Sequence, residues 1–492
     1  MLLPDLTDPD AWLLRLARIH DGDKPHLQEY NDLYEGNAPL CYLHPEILRE
    51  VEGRIQAVAL GWPMLAVDPL EERLDGLGFR YPEDDADGNI DVAPEVLAKY
   101  AGDANLQRVW QDNNLDEESQ MGHVDALVMR RAYVCVGANE DDRDTPLVTV
   151  ESPLEVFAEV DPRTRKVRAA LRRWSDYHEL IGRLPEHYAT LYLPDMTVWY
   201  DRGPQGWREI GRDVHKLGEP PVVPLVNRAR LAERYGRSEL TPPMLSLSHA
   251  ANKIATDMMV AAEFHAIPLR AIFGIGPDDL LDEDGNRQSA LQVIMGRLLT
   301  IGGDDAAKEV KPFEFTASNL SNFHDTLAQL ARHVAGLVGV DPHMFGYTEG
   351  DNPASAEALK ARESRLIKRA ERKQRAFGGS WEHAMRIVRR FQEGGEDDPR
   401  AKRLEMIWRD PATPTRAQAA DASVKLLTAG IVSKRQARED MGYTPGQIRR
   451  MEAEDKAAAE LDPMGQVTKA LVTTGSLPGV PGEDGLDGDP DE

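Results

Sequence analysis

The stretch Gly339-Val340-Asp341-Pro342-His343-Met344-Phe345-Gly346-Tyr347-Thr348-Glu349-Gly350-Asp351-Asn352-Pro353-Ala354-Ser355-Ala356-Glu357-Ala358-Leu359 organises the chain around it. From Gly336 to Pro353 its glycines and prolines rule out a continuous helix or strand, so it reads as a loop. Asn352-Pro353 and Ser355 then mark a helix start, and Glu357 places a negative charge in the first turn, where the helix dipole favours one. Onward, Leu359, Leu366, Ala370, Phe377, Trp381, Ala384, Val388 and Phe391 hold one apolar face over about 40 residues. Gly378-Gly379 interrupts that helix at a point where it can kink. The opposite face carries Lys360, Arg362, Arg365, Lys368, Arg369, Arg372, Lys373, Arg386, Arg389 and Arg390. A basic stripe in an acidic chain suits a solvated face, or a contact with an acidic neighbouring subunit, better than a nucleic-acid surface.

Working back from the loop, Phe323, Leu327, Leu330, Val334 and Leu337 recur at four and three and predict a helix from about Leu320 to Val338. Before it lies a segment with strand-like ends, about Ile267 to Phe315, containing the acidic stretch Asp278 to Asp284. Before that, Leu247, Ala251, Ile254, Met258 and Ala261 predict another helix, from about Glu239 to Phe264, with Pro242 and Pro243 suited to its first turn. Two helices thus flank a compact insert. From Pro146 to Ile210 the apolar period changes to two. Pro146 to Val150, Glu155 to Val160, Val167 to Trp174, Tyr188 to Leu193 and Thr197 to Tyr200 read as strands of an antiparallel sheet, with turns at Asp161-Pro162 and Pro194-Asp195. Helical spacing appears around Pro45 to Leu60 and from Leu106 to Met129, followed by a short strand-like run, Ala132 to Val136. Beyond Pro411, shorter helices are expected at about Arg416 to Thr428, Ser433 to Met441 and Pro445 to Leu461. The Gly-, Pro- and Asp-rich end from Gly475, with four collagen-like triplets, reads as an acidic disordered tail, because so few triplets cannot hold a triple helix. The fold class is α+β, mainly helical.

With 492 residues, 41% hydrophobic and 29% charged, the chain is too long for one ordinary core and too apolar to be disordered, so two to four subdomains are expected. No cationic stretch followed by an apolar core opens it, and no run of apolar residues is long enough to span a bilayer; secretion and membrane insertion are not expected, and the chain is expected to stay in a cytoplasm. Cys41 and Cys135 fit no metal-ligand spacing and read as small buried hydrophobes. A formal charge of -26 is the wrong sign for a protein that grips phosphates. It also serves solubility.

Catalytic signatures are missing from the sequence. There is no G-x-x-x-x-G-K-[ST] phosphate loop, no G-x-S-x-G elbow and no H-E-x-x-H pair among histidines such as His20, His26, His123, His178 and His187. Phe273-Gly274-Ile275-Gly276 lacks the third glycine of a dinucleotide site. Glu83 to Asp91 and Asp282 to Asn286 imitate calcium loops, but Pro94 and Leu291 stand where the bidentate glutamate belongs, so surface turns are the better reading. Neither an enzyme nor a cofactor or metal site is expected.

Gly339 to Gly346 followed by Asn352 to Leu359 resembles the signature of phage portal proteins of the SPP1-type family. Other stretches agree in the same order: Tyr30 to Gly36, Val67-Asp68 with Arg73-Leu74 and Gly78-Phe79-Arg80, Trp110 to Asp116, Val223 to Asn227, and Trp408-Arg409-Asp410-Pro411. The similarity covers about residues 28 to 450 and is greatest to portals of phages infecting actinobacteria. Where relatives often have Asn-Trp this chain has Gly61-Trp62, and the acidic tail lies outside the family pattern. The resemblance implies a portal fold: a wing (residues 1–238), a stem helix (239–264), a clip insert (265–316), a second stem helix (317–338), a tunnel loop (339–353), a long helix returning to the wing (354–411), a helical crown (412–465) and the acidic tail (466–492).

It further implies a ring, expected to hold twelve subunits, at one capsid vertex at the head-tail junction of the virion, assembled in the host cytoplasm. Double-stranded DNA would pass through it, and its partners would be the terminase large subunit, the major capsid and scaffolding proteins and a head-tail adaptor, with no membrane involved. His343, Met344, Phe345, Tyr347 and Thr348 would face DNA from the tunnel loop, although Met344 and Phe345 serve equally well as anchors of that loop. Asp278, Asp279, Asp282, Glu283 and Asp284 would meet terminase or adaptor. Arg365, Arg369 and Arg372 would contact the next subunit. On this view an acidic wall lets DNA slide. Another head-tail connector or minor capsid protein, a cellular helical scaffold and a carboxylate-dependent nuclease are the rival readings.

Overall fold

The computed structural model describes residues 4–5, 7–37, 58–81, 103–142, 144–176, 186–227, 230–265, 270–273, 298–301, 311–314, 320–346, 356–395, 399–412, 416–443 and 445–461. They fall into two compact units, one from residues 1–75 and 109–402, the other from 76–108 and 403–492.

The first unit is layered. Helix α1 (Pro9–Tyr34) starts at Asp8, whose carboxylate accepts from the Ala11 amide at 3.1 Å, and buries Trp12, Leu13, Leu16, His20 and Leu27 along one side. That side rests on a five-stranded antiparallel sheet, β4 (Val156–Val160), β5 (Val167–Asp176), β6 (Glu186–Tyr192), β7 (Thr197–Gly203) and β8 (Gly206–Asp213), in sequence order. Because successive residues of a strand point to opposite faces, Phe157, Ala169, Leu171, Ala189, Leu191, Val198 and Tyr200 meet α1, while Val156, Ala158 and Ala170 face the other way. There they pack on Tyr133, Cys135 and Val222 of a second sheet, in which β2 (Arg131–Gly137) lies between β3 (Leu147–Glu151) and β9 (Val222–Val226).

On the far side of this second sheet sit α4 (Leu115–Val128) and α7 (Ala356–Gln392). The approach of α4 is close: a Cβ at Gly122 would fall 2.4 Å from Val150 Cγ1, so glycine is required there. Between α4 and α7, with α3 (Ala104–Asp112) alongside, lies a buried aromatic cluster. Trp110 meets Trp381 edge-on at 4.9 Å, and His123 stacks on Phe377 at 5.1 Å while accepting the Trp381 indole N–H at 3.0 Å. Burial pushes the His123 imidazole down to about 3, so it is neutral.

Helices α5 (Pro242–His265) and α6 (Ser321–Val338) pack against each other and flank an insert. In the insert β10 (Arg270–Phe273) pairs in parallel with β11 (Leu298–Ile301) and antiparallel with β12 (Lys311–Glu314). The buried lines differ from the expected ones. On α5 they are Met244, Ser248, Ala251 and Ala255, and on α6 Leu327, Ala331, Val334, Ala335 and Val338. Small side chains let the two helices approach closely, and bulkier apolar ones are left at the flanks: Leu337, expected in the core, is 47% exposed.

In the second unit β1 (Gly76–Arg80) pairs antiparallel with β13 (Glu405–Trp408), burying Phe79. α8 (Arg416–Thr428), α9 (Lys434–Asp440) and α10 (Pro445–Leu461) follow, matching the helices expected after Pro411. Ser433 caps α9 by accepting the Gln436 amide at 3.1 Å.

The α+β class is observed, with several departures from the periodicity. The first 26 residues of regular structure, α1, were not expected as a helix. β3 belongs to the smaller sheet, and the fifth place in the larger one is filled by β8, whose sequence Gly-Trp-Arg-Glu-Ile-Gly-Arg-Asp shows no apolar alternation. Charge on an edge strand is what keeps such an edge from pairing with another chain. α7 runs unbroken through Gly378-Gly379 and ends at Gln392, well short of residue 411; a short 3₁₀ turn (Pro399–Arg403) and β13 occupy the remainder.

Candidate functional site at the junction of α6 and α7

The end of α6 is set by Gly339, which adopts φ +78 and donates its amide to the Ala335 carbonyl at 2.7 Å. Left-handed backbone of this kind favours glycine, and here a side chain would also collide, since a Cβ would lie 2.9 Å from Arg365 Cδ. Asp341 then caps a single 3₁₀ turn (Pro342–Phe345), accepting the His343 amide at 3.0 Å, and Gly346 closes it at φ +79. Phe345 tucks inward. It is buried and meets the Trp62 ring edge-on at 5.6 Å, Trp62 being the first residue of α2 (Trp62–Glu71). At the other end of α2 the Glu71 carboxyl is pushed up to about 7 by burial, with Asp75, Asp68 and Glu72 adding repulsion.

Two arginines of α7 hold the end of α6. Arg365 donates to the Gly336 carbonyl at 2.5 Å and to Leu337 at 3.4 Å, and Arg369 donates to the Val338 carbonyl. Three successive carbonyls that the helix itself leaves without partners are thereby satisfied, by cations at the negative end of the helix dipole. Arg369 also pairs at 2.5 Å with Glu239, whose other oxygen meets Lys373 at 2.8 Å. The carboxylate side chain is 1% exposed and Lys373 5%, so this is a buried network. Asn227 completes it. Its side-chain oxygen accepts from Lys373, and its amide donates to the Arg237 carbonyl at 2.7 Å and to Glu239 at 3.3 Å. Further along α7, Arg390 and His383 meet Glu219 at 2.5 and 3.1 Å.

His343 is exposed on the turn and Met344 half-buried, whereas Phe345, expected to face DNA, is in the core as an anchor of the turn. Arg365 and Arg369, expected to contact a neighbouring subunit, are engaged within the chain, as are Lys373, Arg389 and Arg390 of the supposedly solvated stripe. Arg372 is exposed. Tyr347 and Thr348, and Asp278, Asp279, Asp282, Glu283 and Asp284, lie outside the described residues. Of the two cysteines, Cys135 is buried, and Cys41 lies outside the described residues. Trp62, Glu239 and Asn227 are not marked by the sequence as parts of this junction, although Asn227 ends the Val223 to Asn227 stretch and Trp62 belongs to the Gly61-Trp62 pair. Among the described residues no group of three or more His, Cys, Asp or Glu is placed to hold a metal ion, and no helix is long and apolar enough to cross a membrane.

A glycine-capped helix end, a one-turn 3₁₀ connection and a long returning helix, built on the very residues of the signature, coincide with a match over residues 13–461: the chain belongs to the family of phage portal proteins described as SPP1 Gp6-like. As such it is a structural component of a bacteriophage head, the conduit for double-stranded DNA during packaging and ejection. Among its relatives is the portal protein of Mycobacterium phage D29, 38% identical over 434 residues, covering 86% of this chain and 84% of that protein. The portal protein of Mycobacterium phage L5 is likewise 38% identical over 434 residues, covering 86% and 83%. Among solved structures, a chain in the neck of an empty GTA particle, computed with C6 symmetry, is similar at 14% identity and a TM-score of 0.39, over 82% of this chain and 95% of that one. A chain in the neck of a native GTA particle, computed with C12 symmetry, is similar at 15% identity and a TM-score of 0.36, over 66% and 79%.

Proposed function

We propose that this chain closes into a ring of twelve subunits at one capsid vertex and acts there as a passive guide for DNA. The observation that carries the reading is 38% identity to named portal proteins sustained across 86% of the chain. α5 and α6 would be the stem pair, the insert between them the clip, residues 339–353 the tunnel loop, and α8 to α10 the crown. On the loop, His343, Tyr347 and Thr348 would be the groups nearest the duplex, with Phe345 securing the base of the loop against Trp62. Arg372 would contact the next subunit. The acidic clip stretch Asp278 to Asp284 would meet the terminase large subunit during packaging and a head-tail adaptor afterwards, and major capsid and scaffolding proteins would surround the wing.

The mechanism follows from symmetry and charge more than from any one side chain. B-form DNA repeats every 10–10.5 base pairs, so twelve equivalent loops meet the helix in twelve different registers and the summed contact energy changes little as DNA advances. The net charge of -26 per subunit keeps the wall from binding phosphates tightly. No catalytic step is assigned to the chain; the energy for packaging comes from a separate motor. The mass of the native assembly, measured by light scattering with negative-stain images of the same material, tests this. A ring of about twelve subunits with a central hole is expected; a stable monomer or dimer would overturn it.

A further inference from the structure

The layered unit presents two unlike exposed patches. The first is the side of α1 turned away from the sheet, where Ala11, Leu14, Arg15, Arg18 and Gly22 line an open groove of about 730 Å³. Leu14 is 66% exposed, and Ile19, which also lines the groove, 38%. Arg15 is neutralised by Glu159 at 2.7 Å, whereas Arg18 is exposed with no acidic partner among the described residues. The patch is therefore apolar with a free positive charge. The second lies on α4 and β3. There Met121 is 51% and Leu147 50% exposed, and the surrounding exposed side chains are Asp112, Asp116, Glu117 and Gln120. Gly122, Ser119 and His123 face inward, so Glu117 and Met121 point outward on the same helix.

We propose that these patches are the two halves of one subunit contact: the Leu14–Arg18 side of α1 in one copy docks on the Glu117–Met121 side of α4 and on Leu147 of the next. The occupant is a second copy of this chain because the two surfaces complement each other and not themselves. Apolar meets apolar, and positive Arg18 meets the acidic rim, whereas each patch placed against its own copy would oppose like charges. Contact between two different faces of the same chain is what builds a ring. The inference rests on the ring reading above and adds the surface that closes it.

The test is charge reversal with rescue, read as the subunit concentration needed for half-assembly. Arg18→Glu and Glu117→Lys are each expected to raise it at least tenfold, and the double variant Arg18→Glu/Glu117→Lys to bring it back towards wild type. In parallel, Leu14→Cys/Met121→Cys rings treated with a short bis-maleimide should give a ladder of covalent multimers that neither single-cysteine variant gives. If the wild-type chain forms rings but the single reversals assemble unchanged, or the double cysteine variant gives no ladder, this contact is refuted and the ring stands. If the wild-type chain forms no ring at all, both proposals fall.

Discussion

Replacing Glu239 with glutamine removes the carboxylate that both Arg369 and Lys373 touch, and leaves two cations in a place where the side chains are 12% and 5% exposed. Breaking a buried ion pair by deleting one partner typically costs about 3–5 kcal/mol, because the survivor's charge stays desolvated. Arg369→Met and Lys373→Met are milder, since each leaves Glu239 paired with the remaining cation; a lost charge-assisted hydrogen bond is worth about 1.5–3 kcal/mol. The expected order is therefore Glu239→Gln well ahead of either cation variant. Because a chain of two units need not unfold in one step and assembly shifts apparent stability, the readout should be local and made at one fixed protein concentration. Hydrogen exchange at the Glu239 amide, which donates to the Leu127 carbonyl at 2.9 Å, reports opening of this junction directly. Protection there should drop by roughly 10²- to 10³·⁵-fold in Glu239→Gln, at about 1.4 kcal/mol per decade, and by roughly 10- to 10²-fold in the others. If Glu239→Gln lost no more protection than Arg369→Met, the buried carboxylate would not be holding the network, and the reasoning would be wrong.

Gly339→Ala should destabilise the end of α6 by about 1–3 kcal/mol, from the left-handed backbone and the approach to Arg365, seen as faster exchange at the Gly336–Val340 amides. Phe345→Ala should loosen the turn and expose it to protease, at a cost of about 3–5 kcal/mol for an aromatic removed from a core, while His343→Ala should leave stability within about 0.5 kcal/mol. Acid should weaken the first unit. Burial holds His20 down to about 4 and His123 to about 3 in the folded chain, against about 6.5 when unfolded, so below pH 6.5 the unfolded state takes up protons that the folded state does not; the urea midpoint should fall progressively from pH 6.5 towards pH 4. Glu71 acts at the other end: with its folded value near 7, stability is lost as pH rises from about 4.5 to 7, so Glu71→Gln should raise the midpoint at pH 8 and leave it unchanged at pH 4.

Where burial is one-sided and local, the sequence is a good guide. The alternation of β4 to β7 and the apolar face of α7, with Leu366, Ala370, Phe377, Trp381, Ala384 and Val388 all buried, can be read directly from residue spacing. It misleads where the deciding partner is remote. The run Asp21-Gly22-Asp23-Lys24-Pro25 looks like a helix break, yet α1 continues through it, with Asp23 clamped by Arg130 and Arg131 from a segment more than a hundred residues away. Lys373 belongs to a basic stripe by spacing alone; only folding brings Glu239 and Asn227 to it. The turn at Gly339 to Gly346 was legible because glycine and Asp-Pro act on their own backbone. What Phe345 touches was not, since Trp62 is supplied by a different helix.

Arg365 and Arg369 tie the last three carbonyls of α6 to the side of α7, and they do so just before the chain enters its turn. The joint therefore behaves as a bracket and not as a swivel: a load on the turn cannot be absorbed by rotating α6 about its own end, because the same side chains grip both shafts. The force is instead delivered into a helix of 37 residues, about 55 Å of stiff rod at 1.5 Å per residue, whose far half is wedged by Trp381 against Trp110 and His123. Strain at the turn is thus converted into stress on that aromatic core, remote from where it was applied.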